Sequence, residues 1–159
     1  MGHSMTLDQD CGDREVIQRH LLQLSEKVGR RLRRGGYSGR TVTITLRYSD
    51  FQTFTRQRRL HRPVDHGLDI FATASSILEG LSLEQPVRLV GVSVSGLQRQ
   101  MDQVSLFTDE RKRKFTSEAM DDINDRYGDF TVTWGSLAER YRHERVISPA
   151  WRPGGDREY

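Results

Sequence analysis

Alternating blocks of helical and strand periodicity predict an α+β fold of order β-α-β-β-α-β. Its four-stranded sheet carries two helices on one face, and a C-terminal extension adds one further helix. Three observations predict this. Ile17, Leu21, Leu24, Val28 and Leu32 recur at steps of three and four, one face of a helix. Val42, Ile44, Leu46 and Tyr48 alternate with Thr41, Thr43, Thr45 and Arg47, the period of a half-buried strand. Val90, Val92 and Val94 alternate with Gly91, Ser93 and Ser95 in the same way.

The remaining elements follow from local signals. Asp13 is the N-cap of the first helix, with Glu15 in its first turn where the helix dipole favours an acid. Gly35-Gly36 ends it. Ser49-Asp50 turns the chain into a second strand, roughly Phe51 to Leu60, which Pro63 closes. The alternation in that strand is less clean, so the sequence does not show which of its arginines point outward. Asp65 or a neighbour caps a second helix through Ile70, Ala74, Ile77, Leu78 and Leu81, and the last strand runs from Val87 to Leu97. A short strand at Ser4–Leu7 completes the sheet. The start, Gly-His-Ser-Met, has the form of a cloning remnant.

After Leu97 the composition changes. Residues 98–107 read as an extended linker. A charged helix starts at the Thr108 N-cap and runs to about Tyr127, with Phe115, Ala119 and Ile123 on one side and Gly128 at its end. Phe130 to Thr133 is a short strand-like stretch, and the rest reads as irregular. The expected organisation is therefore 2–97, a core domain; 98–107, a linker; and 108–159, an extension.

Charge is concentrated. The chain is +3 overall, yet residues 30–62 hold ten arginines against the single acid Asp50, a local +9 between flanks of −2 and −4. Arginine's planar fork matches phosphate, and a local basic block attracts a polyanion more than the total charge suggests. The plainer alternative is a solvated basic face. Cys11 is the only cysteine, which excludes an internal disulfide, and the five histidines are scattered. No apolar run approaches the ~20 residues of a membrane span. A reducing cytoplasm is the expected location, with no membrane partner and a monomeric state.

The sheet face away from the helices is the candidate binding surface. Thr43, Thr45, Arg47, Thr55, Ser93 and Ser95 fall on it, bordered by Arg56, Arg58 and Arg59. Small hydroxyls let a phosphate backbone approach closely while arginines supply charge. A face that stacks single-stranded bases wants exposed aromatics, and Phe51 and Phe54 are the only candidates. The expectation is a surface that holds a duplex backbone without reading its sequence.

Residues 2 to about 97 resemble the little-finger domain of Y-family DNA polymerases, especially bacterial DinB-like enzymes (the impB/mucB/samB C-terminal domain). The stretches that carry the resemblance are Gly2 to Asp10, Lys27 to Arg33, Arg40 to Phe51, Thr53 to Arg56 and Val87 to Leu97. The first resembles the family's own link from thumb to little finger, which favours native sequence over a tag. The resemblance implies a non-catalytic domain that lies along primer-template DNA, touches the backbones of both strands, and is tethered to the palm, thumb and fingers core of the same polymerase. It implies no cofactor here; the parent polymerase would use Mg²⁺ in its palm.

A second resemblance lies in Gln103-Val104-Ser105-Leu106-Phe107, which is similar to the pentapeptide that docks on the bacterial β sliding clamp. Gln103 would hydrogen-bond in one pocket while Leu106 and Phe107 fill an apolar one, with Ser105 between them. The alternative is that Leu106 and Phe107 pack as a staple ahead of the Thr108 helix. In many relatives the motif is at the extreme C-terminus; here residues 108–159 follow it.

Two acid clusters, Asp8/Asp10/Asp13 and Asp121/Asp122/Asp125, are better explained by turn and cap chemistry and by a solvated helix face than by a catalytic metal site. Two rival functions stay open. A stand-alone RNA-binding module shares this element order but needs sheet aromatics, and a small nuclease would need one acid cluster to turn over with Mg²⁺.

Overall fold

The computed structural model describes residues 1–99 and 108–137. Its elements are β1 (Gly2–Cys11), α1 (Arg14–Arg34), β2 (Tyr37–Tyr48), β3 (Thr53–Val64), α2 (Gly67–Glu79), β4 (Val87–Arg99), α3 (Thr108–Tyr127) and a single 3₁₀ turn, Gly135–Leu137. The first six form the α+β unit expected, an antiparallel four-stranded sheet in the order β1-β4-β2-β3. The central strands are β4 and β2, and β1 and β3 are the edges.

Helix α1 forms as its signals require. The Asp13 carboxylate accepts a hydrogen bond from the Glu15 amide at 2.8 Å, and Gly36 takes the left-handed φ of +66° just beyond the last turn. Ile17, Leu21, Leu24, Val28 and Leu32 are all fully buried. Each stabilises the fold by about 1.5–3 kcal/mol relative to exposure. They face Val42, Ile44 and Leu46 of β2, Val90, Val92 and Val94 of β4, and Ile70, Ala74, Ile77 and Leu78 of α2, in one continuous core. The two helices approach closely at two glycines. A Cβ on Gly29 would sit 2.8 Å from the Gly67 amide nitrogen and 2.9 Å from the Asp65 carbonyl oxygen. The Arg14 guanidinium donates to the carbonyls of Leu78 and Leu81, placing a cation at the end of α2.

Three local expectations are corrected and a fourth is narrowed. β1 is ten residues long rather than four, because the open edge of β4 pairs it from Gly2↔Ser93 to Thr6↔Leu89 and again at Cys11↔Val87. Residues 2–5 are thus part of the sheet, and the buried Met1 ammonium donates to the Val94 carbonyl at 2.7 Å. β3 does not stop at Pro63; it runs to Val64, since an edge strand tolerates a residue with no N–H to donate. The cap of α2, expected at Asp65 or a neighbour, is the neighbour His66, whose Nδ1 accepts from the Leu68 amide at 3.3 Å, while the Asp65 carbonyl takes the Arg33 guanidinium. Phe130 to Thr133 is a turn, because the Asn124 side chain bonds both the N–H and the C=O of Val132, at 2.8 and 3.0 Å, and so claims the groups a strand would pair.

The described chain divides into two compact units, one ending at Gln98 and one beginning at Arg99. In the second, α3 buries Ser117 and Asn124 and leaves Phe115, Ile123 and Tyr127 exposed.

Candidate nucleic-acid interface

Cross-strand partners in an antiparallel sheet point to the same face, so the register assigns each side chain. On β2 and β3 the pairs Thr41↔Arg59, Thr43↔Gln57, Thr45↔Thr55 and Arg47↔Thr53 lie away from the helices. The intervening pairs, Val42↔Arg58, Ile44↔Arg56 and Leu46↔Phe54, lie on the helix side. On β1 and β4, Gly2↔Ser93, Ser4↔Gly91 and Thr6↔Leu89 are on the face away from the helices. Gly91 links the two halves: a Cβ there would be 3.2 Å from the Ser4 Cβ and 3.3 Å from the Thr45 Cβ. Ser4, Gly91, Thr45 and Thr55 therefore form one row across all four strands.

That face carries small hydroxyls over most of its extent, with arginines near opposite ends of β2 and β3. Thr43, Thr45 and Ser93 are half-buried between neighbouring strands, and Thr55, Arg59 and Ser95 are exposed. Arg47 is steered by its Nε hydrogen bond to the Thr53 hydroxyl, 2.7 Å. Among the paired positions of this face, none holds an aromatic ring. The low relief has a chemical consequence: apart from the Gln57 side chain, nothing taller than a threonine stands between the arginines, so a sugar-phosphate backbone can meet hydroxyls and guanidinium groups together.

Not every predicted site residue shares this surface. The structure brings together Thr43, Thr45, Arg47, Thr55, Arg59 and Ser93, and Ser95 continues the alternation of β4. Arg56 and Arg58, expected beside them, point to the helix side. The Arg58 guanidinium donates to the Ser76 hydroxyl of α2 at 2.8 Å, and Arg56 lies 5.3 Å above the Phe54 ring. Sequence reasoning missed Ser4, Thr6, Thr41, Thr53 and Gln57. The period-two alternation of β2 already contained Thr41; the β1 and β3 residues needed the register.

The candidate clamp motif, Gln103, Ser105, Leu106 and Phe107, lies outside the described residues. Among the described residues, no three His, Cys, Asp or Glu side chains group so as to hold a metal ion. No described helix is long and apolar enough to cross a membrane. Cys11 is half-buried with a free thiol, and its sulfur accepts from the Asp13 amide at 3.3 Å.

Fold and face together define a βαββαβ domain with a basic, ring-free sheet surface. The family is shown directly. The model of the impB/mucB/samB family C-terminal domain matches residues 1–106, and the chain belongs to that family, the little-finger domain of Y-family, DinB-like polymerases. It is similar to a DNA polymerase IV of Pelotomaculum thermopropionicum, 35% identical over 134 residues that cover 83% of this chain and 33% of the relative. It is 40% identical over 134 residues to a DNA polymerase IV of Moorella thermoacetica, covering 83% of this chain and 34% of the relative. The chain thus spans about a third of the length of these relatives. Among solved structures, the fold matches a complex of beta-clamp processivity factor and little finger domain of PolIV, with a TM-score of 0.52 and 24% identity over 67% of this chain and 96% of that one. It also matches an insertion ternary complex of Dbh DNA polymerase, with a TM-score of 0.54 and 15% identity over 63% of this chain and 29% of that one.

Proposed function

We propose that this domain grips primer-template DNA for a lesion-bypass polymerase, without sequence specificity, and that the segment after it docks on the β sliding clamp. The observation that carries the DNA reading is the face just described: hydroxyls in rows, arginines near its ends, and no ring to stack a base. Such a surface has donors for phosphate and little with which to read base edges. Thr43, Thr45, Arg47, Thr55, Arg59 and Ser93 are the proposed contacts. Catalysis belongs, on this reading, to the palm of the parent enzyme. A ring-free face also argues against the single-stranded RNA module, which would stack bases on its sheet.

The clamp reading rests on Gln103-Val104-Ser105-Leu106-Phe107, which follows the sheet domain closely in sequence, and on the family of that domain. The solved complex of a beta-clamp processivity factor with the little finger domain of PolIV, similar in fold, supports the same partner.

Duplex binding by the 159-residue chain at low salt tests the first part. Affinity should be independent of sequence and fall steeply as salt rises. Retention of one duplex sequence over others at high salt would refute it. A pull-down on β clamp tests the second part, comparing the parent with the triple change Gln103→Ala, Leu106→Ala and Phe107→Ala. Equal retention of both would refute docking through this segment.

A further inference from the structure

The tip of the β2–β3 hairpin is built around one exposed ring. Phe51 has φ of +68°, a left-handed conformation that a bulky side chain rarely adopts, and its side chain is 64% exposed. Such a conformation persists only when its surroundings hold it. Here they do. The Tyr48 amide donates to the Gln52 carbonyl at 2.9 Å and the Phe51 amide to the Tyr48 carbonyl at 3.0 Å. Asp50 accepts from the Gln52 amide with one oxygen and from the Gln85 side chain with the other, each at 2.9 Å. The Ser49 amide donates to the Pro86 carbonyl at 3.0 Å, which latches the tip to the loop before β4.

The ring has a cation against it. The Arg88 guanidinium carbon lies 4.9 Å from the Phe51 centroid, and Arg88 is itself held by Asp10 at 3.7 Å. The residues around the ring, Asp50, Gln52, Gln85 and Arg88, are polar or charged, so Phe51 is not the centre of an apolar docking patch. It stands beside the candidate DNA face. The Thr53 hydroxyl contacts both the Phe51 carbonyl, at 3.4 Å, and Arg47.

We propose that Phe51 is a stacking platform for an unpaired nucleobase of single-stranded DNA leaving the duplex held on the sheet. A rigid exposed ring backed by a guanidinium offers a π-surface to any base, which suits a domain that does not read sequence. The proposal rests on the duplex-binding reading above, and it gives the domain a sense of where paired DNA ends.

The test uses the 159-residue chain with two DNAs, a blunt duplex and the same duplex with a single-stranded overhang carrying 2-aminopurine at its first unpaired position. The parent should prefer the overhang and quench the fluorescent base. Phe51→Ala should lose about tenfold in affinity for the overhang, within the range of one base–aromatic stack, and nothing on the blunt duplex. Phe51→Trp should keep the preference. Phe51→Gly should lose it while melting no lower than the parent, because glycine is at ease at this φ. Equal affinity of parent and Phe51→Ala for the overhang would overturn the proposal, as would equal loss on both DNAs. A loss seen only in β-clamp retention would overturn it too and make the ring a protein contact. A parent that binds the blunt duplex without preferring the overhang leaves the grip standing and removes the platform. A parent that binds neither DNA removes both.

Discussion

Two pairs of arginines on neighbouring strands separate a directed DNA face from a general basic attraction. Arg47 and Arg59 lie on the face away from the helices, opposite Thr53 and Thr41; Arg56 and Arg58 lie on the helix side, opposite Ile44 and Val42. Replacing either pair with alanine removes the same charge. The two open-face arginines are six residue rows apart, about 20 Å at ~3.4 Å per residue. That exceeds the Debye length of about 10 Å at 0.1 M salt, so each counts as an independent phosphate contact. Losing both should reduce the slope of log affinity against log salt by about 1.8, at ~0.9 per phosphate. Over a fourfold rise in salt, that slope change amounts to about a twelvefold difference in affinity loss. Arg47→Ala with Arg59→Ala should show this change, and Arg56→Ala with Arg58→Ala should leave the slope nearly as in the parent. Fluorescence anisotropy with one labelled duplex across a salt series measures both. Equal flattening by the two pairs would refute the assignment of the contact to one face.

Other consequences are simpler to check. Gly29→Ala should destabilise by up to about 2 kcal/mol: helix propensity favours alanine by about 1 kcal/mol, but overpacking against backbone costs ~1–3 kcal/mol. The opposing atoms are the Gly67 nitrogen, the Asp65 oxygen and the Gly67 Cα, at 2.8, 2.9 and 3.0 Å from the new methyl. Gly12→Ala, with nothing within 4 Å, should shift chemical denaturation by less than about 0.5 kcal/mol. Asn124→Ala should leave the Val132 amide and carbonyl without the partners it supplies, cost about 1–3 kcal/mol locally, and speed hydrogen exchange at Val132. The Met1 ammonium is held below its ordinary value of 8.0, first by burial and then by the Arg31 guanidinium. The unfolded chain therefore binds this proton more tightly, so stability rises as pH climbs through the lowered value towards 8.0 and levels off above it. Thermal melts over that window should lose this dependence when the amine is acetylated.

Much of this was legible before any coordinates. The helical spacing from Ile17 to Leu32, the Asp13 cap, the Gly35-Gly36 stop and the clean alternation of β2 and β4 are local signals, and the elements follow them. The ring-poor, hydroxyl-rich character of β2 and β4 was legible too, because one side of each strand is apolar and marks the other by contrast.

β3 offered no such contrast. It is an edge strand exposed along most of its length, so arginines on its two faces carry the same hydropathy and the sequence has no marker of parity. Only pairing with β2 decided that Arg59 shares a face with Thr43 while Arg56 and Arg58 turn towards α2. Pairing with β4 likewise extended β1 to ten residues, and hydrogen bonds reaching across to Gln85 and Pro86 secured the tip that displays Phe51. Composition and periodicity determined that this chain builds a helix-backed sheet rich in arginine. Long-range hydrogen bonding, which no local pattern encodes, decided where those arginines point.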